Sequence, residues 1–369
     1  MNKILPYYSL LSIVFLIGCL QAFFVGIPKT LKHHPVVSHL LEKPEDSALL
    51  LIKNGEVVIN RNVETQLPLA SLSKMVIGLV FAEQAAEGLL QVEEKITLQS
   101  LERFYIDDDN YQTWKATGIE EGWIDSEQVS LKYIAQGAVR FSANTNADFL
   151  MEYLGLAAIN SWLQEKNLLT HEAIFPFNAS AIVCHNIEKL PQKVFLAQMD
   201  TLSAAIYTER VLAIQEKLTS GNSLFKESLE QQPVNDQVSL KIWSDRFSKA
   251  TAQDYGKLTE LLLNKKALGK EMEQQISFLF EEWAFAENPG LDQQFSSIGY
   301  KGGSTGYLLN TILYLEDKRG NQAQVVLFMN ELSPKKHKMI SKLFSGFVFD
   351  LATNDAFAED TQQVLATGD

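Results

Sequence analysis

Strand signals in this chain stand near its two ends, and a long helical block lies between them. Ala48-Leu49-Leu50-Leu51-Ile52 and Val57-Val58-Ile59 flank Lys53-Asn54-Gly55. Asn-Gly between two apolar runs predicts a tight hairpin. From about residue 84 to 290 the apolar positions repeat mostly at helical spacing, as in Tyr133–Val139, Thr145–Leu154, Leu156–Lys166 and Ala252–Leu263. Two strands return at Tyr307–Leu315 and Gln322–Met329, separated by the polar turn Glu316–Asn321. Pro334 opens a last helix with Ile340, Leu343, Phe344, Phe347 and Val348. The simplest packing joins early and late strands in one sheet. The expected class is therefore α+β, a two-lobe α/β arrangement: an antiparallel β-sheet with flanking helices plus an all-helical lobe at about 72–290. A crevice between lobes is the usual place for a site.

At 369 residues the chain is long enough for a large core, and its 46% hydrophobic and 21% charged residues are those of an ordinary globular protein. The net charge of −13 argues against nucleic-acid binding. Neither the cysteines, Cys19 and Cys184, nor the histidines form a metal-site spacing, so no metal and no cofactor are expected. Residues 4–27 are free of charge, with Lys3 before them and Lys29 and Lys32 after. Such a run reads as an uncleaved anchor, as a cleaved signal, or, through Leu16-Ile17-Gly18-Cys19, as a lipoprotein signal with Cys19 lipidated. Each reading exports the rest of the chain to the periplasmic side of a bacterial envelope. The expected layout is an anchor or signal at 1–27, a proline-bearing tether at 28–46, a catalytic domain at 47–352, and a disordered tail at 353–369.

Three short motifs stand in an order that one chemistry would use: Ser71-Leu72-Ser73-Lys74, then Ser142-Ala143-Asn144, then Lys301-Gly302-Gly303. A helix beginning near Ser71 would turn Ser71 and Lys74 the same way. A serine hydroxyl needs a neighbour to take its proton, and a lysine serves if burial or a second cation lowers its pKa. Lys301, arriving from the other lobe, is a candidate for that second cation. The backbone N–H of Ser71 would meet a developing oxyanion. Ser142 could relay a proton to a leaving group, and Asn144 could bind a substrate amide. Gly302 and Gly303 on a strand would admit substrate backbone closely. Singly the motifs are weak, since Ser223-Leu224-Phe225-Lys226 and Ser220-Gly221-Asn222 repeat two of them. Trp162, Trp243 and Trp283 read as core.

Over about residues 47–350 these strings resemble the penicillin-recognising serine enzymes, the β-lactamase and D,D-peptidase superfamily, and most of all its class A β-lactamase-like branch. Leu69–Met75 is similar to the nucleophile helix, Phe141–Leu150 to the second motif with its helix, Ala252–Leu258 to the helix leading to the third motif, and Gly299–Gly306 to the lysine strand. The resemblance implies a β-lactamase/transpeptidase-like fold and an acyl-enzyme at Ser71, with Lys74 as base, Ser142 as proton shuttle and Asn144 as substrate binder. Lys301 would attract a substrate carboxylate, and the backbone N–H groups of Ser71 and Ser304 would form the oxyanion hole. Partners would be a β-lactam or a peptidoglycan stem peptide, and the soluble part would be a monomer.

Three departures stand out. Ala143 replaces an Asp, and Gly302 replaces a Thr or Ser whose hydroxyl Ser304 or Thr305 would have to supply. No match appears to the loop carrying the deacylating glutamate, with Glu172 in Leu169–Phe177 as a possible stand-in and a long segment at 175–250 that would reshape the cleft. Slow deacylation suits a D,D-peptidase or an esterase. The rival class is a silent peptidoglycan- or protein-binding module, and glutaminase chemistry ranks lower.

Overall fold

The computed structural model describes residues 31–186, 189–221, 225–226, 229 and 237–367. The apolar segment 4–27, Cys19 included, lies outside them. Among the described residues no helix is long and apolar enough to cross a membrane.

The predicted hairpin forms strands β1 (Ser47–Lys53) and β2 (Glu56–Arg61). Its turn residues Asn54 and Gly55 both have positive φ, 50° and 80°, the conformation a two-residue hairpin with right-handed strand twist demands. Short β3 (Leu67–Pro68) follows, then β4 (Lys95–Thr97), β5 (Ile124–Asp125), β6 (Gln128–Ser130) and β7 (Lys249–Ala250). The late strands are β8 (Phe295–Ser304), β9 (Leu309–Asp317) and β10 (Gln322–Met329). They join the hairpin in one five-stranded antiparallel sheet of order β2-β1-β10-β9-β8, with Ser47 opposite Met329 and Gly303 opposite Asn310.

Both faces of this sheet are covered, which is why β1 reads as an unbroken apolar run rather than an alternating one. Ala48, Leu50, Val326 and Phe328 face the helical lobe, where the Ala252–Leu263 helix packs on them. Leu49, Leu51, Val325 and Leu327 face the Pro334–Thr353 helix through Phe344, Phe347 and Val348. At the centre of the other lobe the Lys74–Ala86 helix buries every residue from Lys74 to Ala82, so it is enclosed all round rather than amphipathic.

Several boundaries differ from expectation. The proposed tether holds the Pro35–Glu42 helix, whose Val36, Val37 and Leu40 are fully buried against the same sheet face. Its apolar spacing is helical, and Pro35 sits where proline initiates rather than breaks a helix. The proposed disordered tail is the Asp355–Ala366 helix, capped by Asn354 Oδ1 accepting from Phe357 N at 3.1 Å, with Phe357, Ala358, Thr361 and Leu365 buried. The polar residues between those positions form its outer face. The helical lobe also carries sheet: β4, β6 and β5 pair in a three-stranded unit, and β3 pairs with β7. Within the 175–250 segment, helices Phe177–Val183, Gln192–Thr201 and Ala204–Thr219 build a satellite core from Phe175, Ile182, Phe195, Met199, Tyr207 and Val211. Trp162, Trp243 and Trp283 pack in or against hydrophobic clusters, as read from the sequence.

Candidate active site

Ser71 sits in a tight 3-10 turn, Ala70–Ser73, immediately before the buried helix. Side chains three apart eclipse in such a turn, so Ser71 and Lys74 share a face. The turn is held on four sides. Leu69 N donates to Ser248 O at 3.1 Å, and Leu72 N to Leu69 O at 3.2 Å. Asn310 Nδ2 donates to Pro68 O at 2.7 Å, and Ser73 Oγ to Ala70 O at 2.9 Å. Ala70 carries φ 49° and Ser142 φ 60°, left-handed conformations that non-glycine residues adopt only when their surroundings enforce them.

Strand β8 lies against this turn. A Cβ on Gly303 would stand 2.2 Å from Leu69 O and 2.7 Å from Leu72 N. The glycine therefore lets the protein's own Ser71 turn approach the strand. Gly302 has no such need, since a Cβ there would meet only Asn310 O at 3.7 Å. Lys301 is buried, and its ammonium donates to Ser142 Oγ at 2.9 Å and to Gly302 O at 2.8 Å.

Lys74 is fully buried and donates to Ser142 O at 2.5 Å and to Asn144 Oδ1 at 2.6 Å. Two of its three donor positions are thereby engaged. Asn144, read as a substrate binder, also orients the lysine through Oδ1. Ser142 links the lysines, its carbonyl to Lys74 and its hydroxyl to Lys301. Burial pulls the Lys74 pKa down to about 8, against the opposing pull of Asp108 and Asp148. Burial also holds Lys301 well below its ordinary value, with the charge of Lys74 adding to the effect. A lysine that can lose its proton near neutrality, one helical turn from a half-buried serine, can act as a base toward that serine.

Three residues that motif reading passed over shape this pocket. Asp108 accepts from Tyr111 N at 3.2 Å and from Thr145 N at 2.8 Å, tying together two helix starts. Asp148 is fully buried and accepts from Phe177 N at 2.7 Å and Asn178 N at 2.9 Å, which anchors the Phe177–Val183 helix. Its desolvation pushes its pKa up to about 7 despite those bonds. Phe177 in turn lays its ring 4.6 Å from Lys74 Nζ. Asp148 could have been suspected as an acid on an otherwise apolar helix face, but its partners lie across the fold. Phe177 carried no signal.

Other expected residues fall elsewhere. Glu172 is exposed, and its carboxylate accepts from Lys249 N at 3.0 Å. The acid expected as a stand-in is thus engaged by the β7 backbone. Thr305 is buried, its hydroxyl bonded to Ser244 Oγ at 2.6 Å and accepting from Tyr307 N at 3.1 Å. Ser304 Oγ lies 3.1 Å from His337 Nε2.

The family model described as the beta-lactamase enzyme family matches residues 45–343. No curated protein matches the chain significantly. Among solved structures, L2 complexed with relebactam aligns with 11% identity over 91% of this chain and 97% of that one, at a TM-score of 0.52. The TLA-1 extended spectrum beta-lactamase aligns with 11% identity over 92% of this chain and 99% of that one, at 0.50. A variant of a last common ancestor of Gram-negative bacteria class A beta-lactamase aligns with 13% identity over 86% and 98%, also at 0.50. At such identities the likeness shows the shared fold.

Proposed function

The chain belongs to the beta-lactamase enzyme family, and on that premise we propose that it is a serine hydrolase that cleaves an amide or ester through an acyl-enzyme at Ser71. The observation that carries this reading is the buried chain of hydrogen bonds joining Lys74, Asn144, Ser142 and Lys301 beside the Ser71 turn. Neutral Lys74 takes the Ser71 proton as Oγ bonds to the carbonyl carbon. The bond from that carbon to the leaving nitrogen or oxygen then breaks while Ser142 supplies the leaving atom with a proton and regains one from the ammonium that Lys74 has become, with Lys301 holding the Ser142 hydroxyl in place. Backbone N–H groups of Ser71 and Ser304 receive the oxyanion. Water attack on the ester then regenerates Ser71.

That last step is slow. Phe177 covers Lys74, and both oxygens of Asp148 are engaged by backbone N–H groups. Asp108, the other acid acting on Lys74, is likewise bonded through both oxygens to backbone N–H groups, so neither is free to serve a water as base, which favours a penicillin-binding D,D-peptidase or an esterase over a fast β-lactamase. The apolar run 4–27 with Cys19 supports an enzyme tethered on the outer side of a bacterial membrane.

The full-length chain incubated with a penicillin and, separately, with an activated aryl ester should gain one acyl mass on the peptide bearing Ser71 from at least one of them, and Ser71→Ala should gain none. No adduct from either compound would replace this reading with a binding module that keeps the fold. Prompt turnover without accumulation would show that a base for deacylation exists after all.

A further inference from the structure

Resting on the reading of Ser71 as nucleophile, we propose that the leaving-group side of this site accepts uncharged acyl donors, esters or amides without a free carboxylate beside the scissile bond, because every group at the end of β8 that would hold a carboxylate is missing or already bonded. Gly303 against the Leu69–Leu72 turn brings the Gly302–Thr305 stretch past the nucleophile, so its donors are those a leaving group meets. Gly302 has no hydroxyl. The Thr305 hydroxyl is buried between Ser244 Oγ and Tyr307 N.

Ser304 remains, and its partner decides what it offers. His337 sits between Ser304 Oγ, 3.1 Å from Nε2, and the Leu308 backbone, to which it is also hydrogen-bonded. Burial holds the imidazole pKa below its ordinary value, so the ring is neutral at pH 7. Whichever ring nitrogen carries the proton, Ser304 Oγ has an acceptor within the protein, His337 Nε2 at 3.1 Å or Thr305 O at 3.3 Å, so its one proton is already engaged. Ser304 then turns lone pairs, not a proton, toward the pocket. Lys301 faces Ser142 and Gly302 O, and its burial beside Lys74 disfavours its charged form. A carboxylate brought here would lose water without gaining donors. An amide N–H or an apolar substituent meets no such penalty.

The absence of a hydroxyl at 302 is not forced by packing, because Gly302 has room for a Cβ and no positive φ. That makes the inference testable by addition as well as removal. Two aryl esters of phenylacetic acid would be compared, with 3-hydroxybenzoate and 3-hydroxybenzamide as leaving groups, each rate divided by its hydroxide-catalysed rate. A fluorophosphonate probe would report the nucleophile separately. The full-length enzyme should favour the carboxamide by at least about tenfold in kcat/KM, a gap of about 1.4 kcal/mol in transition-state binding. Gly302→Thr and His337→Leu, the first adding a hydroxyl and the second removing the nearer of the two partners of the Ser304 hydroxyl, should each move that ratio toward the carboxylate by about threefold or more.

Failure of the fluorophosphonate to label Ser71 would overturn the nucleophile reading. Labelling together with a carboxylate preference, or with no preference, would leave that reading intact and overturn this one. A carboxamide preference that neither variant moves would also overturn it, since the cause would lie outside β8.

Discussion

The two walls of the site differ in how far they keep the family's pattern. On the nucleophile wall, Lys74, Ser142 and Asn144 match their motifs and bond to one another in the buried interior. On the β8 wall Lys301 is engaged with Ser142 and Gly303 with the Leu69–Leu72 turn, while Gly302 has no hydroxyl and those of Ser304 and Thr305 are bonded within the protein. Groups that make and break bonds must meet within hydrogen-bond reach, and any of them can be lost by a single change. Groups that recognise the substrate's periphery can be exchanged one at a time. Under the proposed reading, the contrast is between a retained active centre and a rebuilt recognition surface.

The sharpest way to break this comparison is to remove the base. Lys74→Met should slow Ser71 acylation by about 10² to 10⁴-fold, read as the rate of adduct formation with an activated ester. A loss below tenfold would mean that the buried lysine is structural and that the nucleophile wall is no better preserved than its neighbour.

A second effect concerns the floor between the walls. Phe177→Glu sets a carboxylate where the aromatic ring now meets Lys74. Once Ser71 is acylated, that carboxylate can accept a proton from an attacking water, and the adduct should decay about 10²-fold faster or more. The half-life of the acyl-enzyme by intact mass measures it. An unchanged half-life in a folded variant would place the block to deacylation elsewhere.

The pH dependence gives a third test with a definite sign. Only neutral Lys74 accepts the serine proton, and its pKa is about 8. Acylation should rise about tenfold per pH unit below that value and level off above it. Asp148 and Asp108 pull the lysine pKa upward, so Asp148→Asn should shift the whole profile to lower pH. Stability carries the same signature. From about 8 to the ordinary 10.5 the unfolded chain binds more protons at this lysine, so its burial costs less as pH rises through that window. A profile that is flat from pH 6 to 9 would remove Lys74 from the chemistry.

What the sequence disclosed follows the same division. The sheet was legible because hairpin chemistry at Asn54-Gly55 and paired late apolar runs are local signals, and β10 falls on its expected residues, Gln322–Met329. The motif residues were legible because their spacing survives at a distance. The Pro35–Glu42 and Asp355–Ala366 helices were not, since each is short and polar on one face and is ordered by packing across the two termini, as His34 at the start of the first does on Phe347 with ring centroids 4.9 Å apart. Phe177, Asp148 and His337 were hidden for a related reason. Their significance lies in partners 29 or more residues away, and nothing in the residue types announces it. Of the glycine pair Gly303 was misread, because a strand glycine signals close approach without saying by what.

That pair gives the smallest and most discriminating test. Gly302 and Gly303 are adjacent, identical in type and equally prominent in the motif, yet only one is demanded by the fold. Gly303→Ala forces a methyl into the Leu69–Leu72 backbone, and because the turn is anchored by Ser248 and Asn310 it cannot retreat freely. The expected cost is about 1–3 kcal/mol, with slower acylation because Ser71 sits in the displaced turn. Gly302→Ala meets only ordinary contact with Asn310 O and should change stability by less than about 0.5 kcal/mol. Thermal or denaturant unfolding of the two variants decides it. Equal costs would mean that β8 does not press on the nucleophile turn, and the two walls would then be free to vary independently rather than being joined through one glycine.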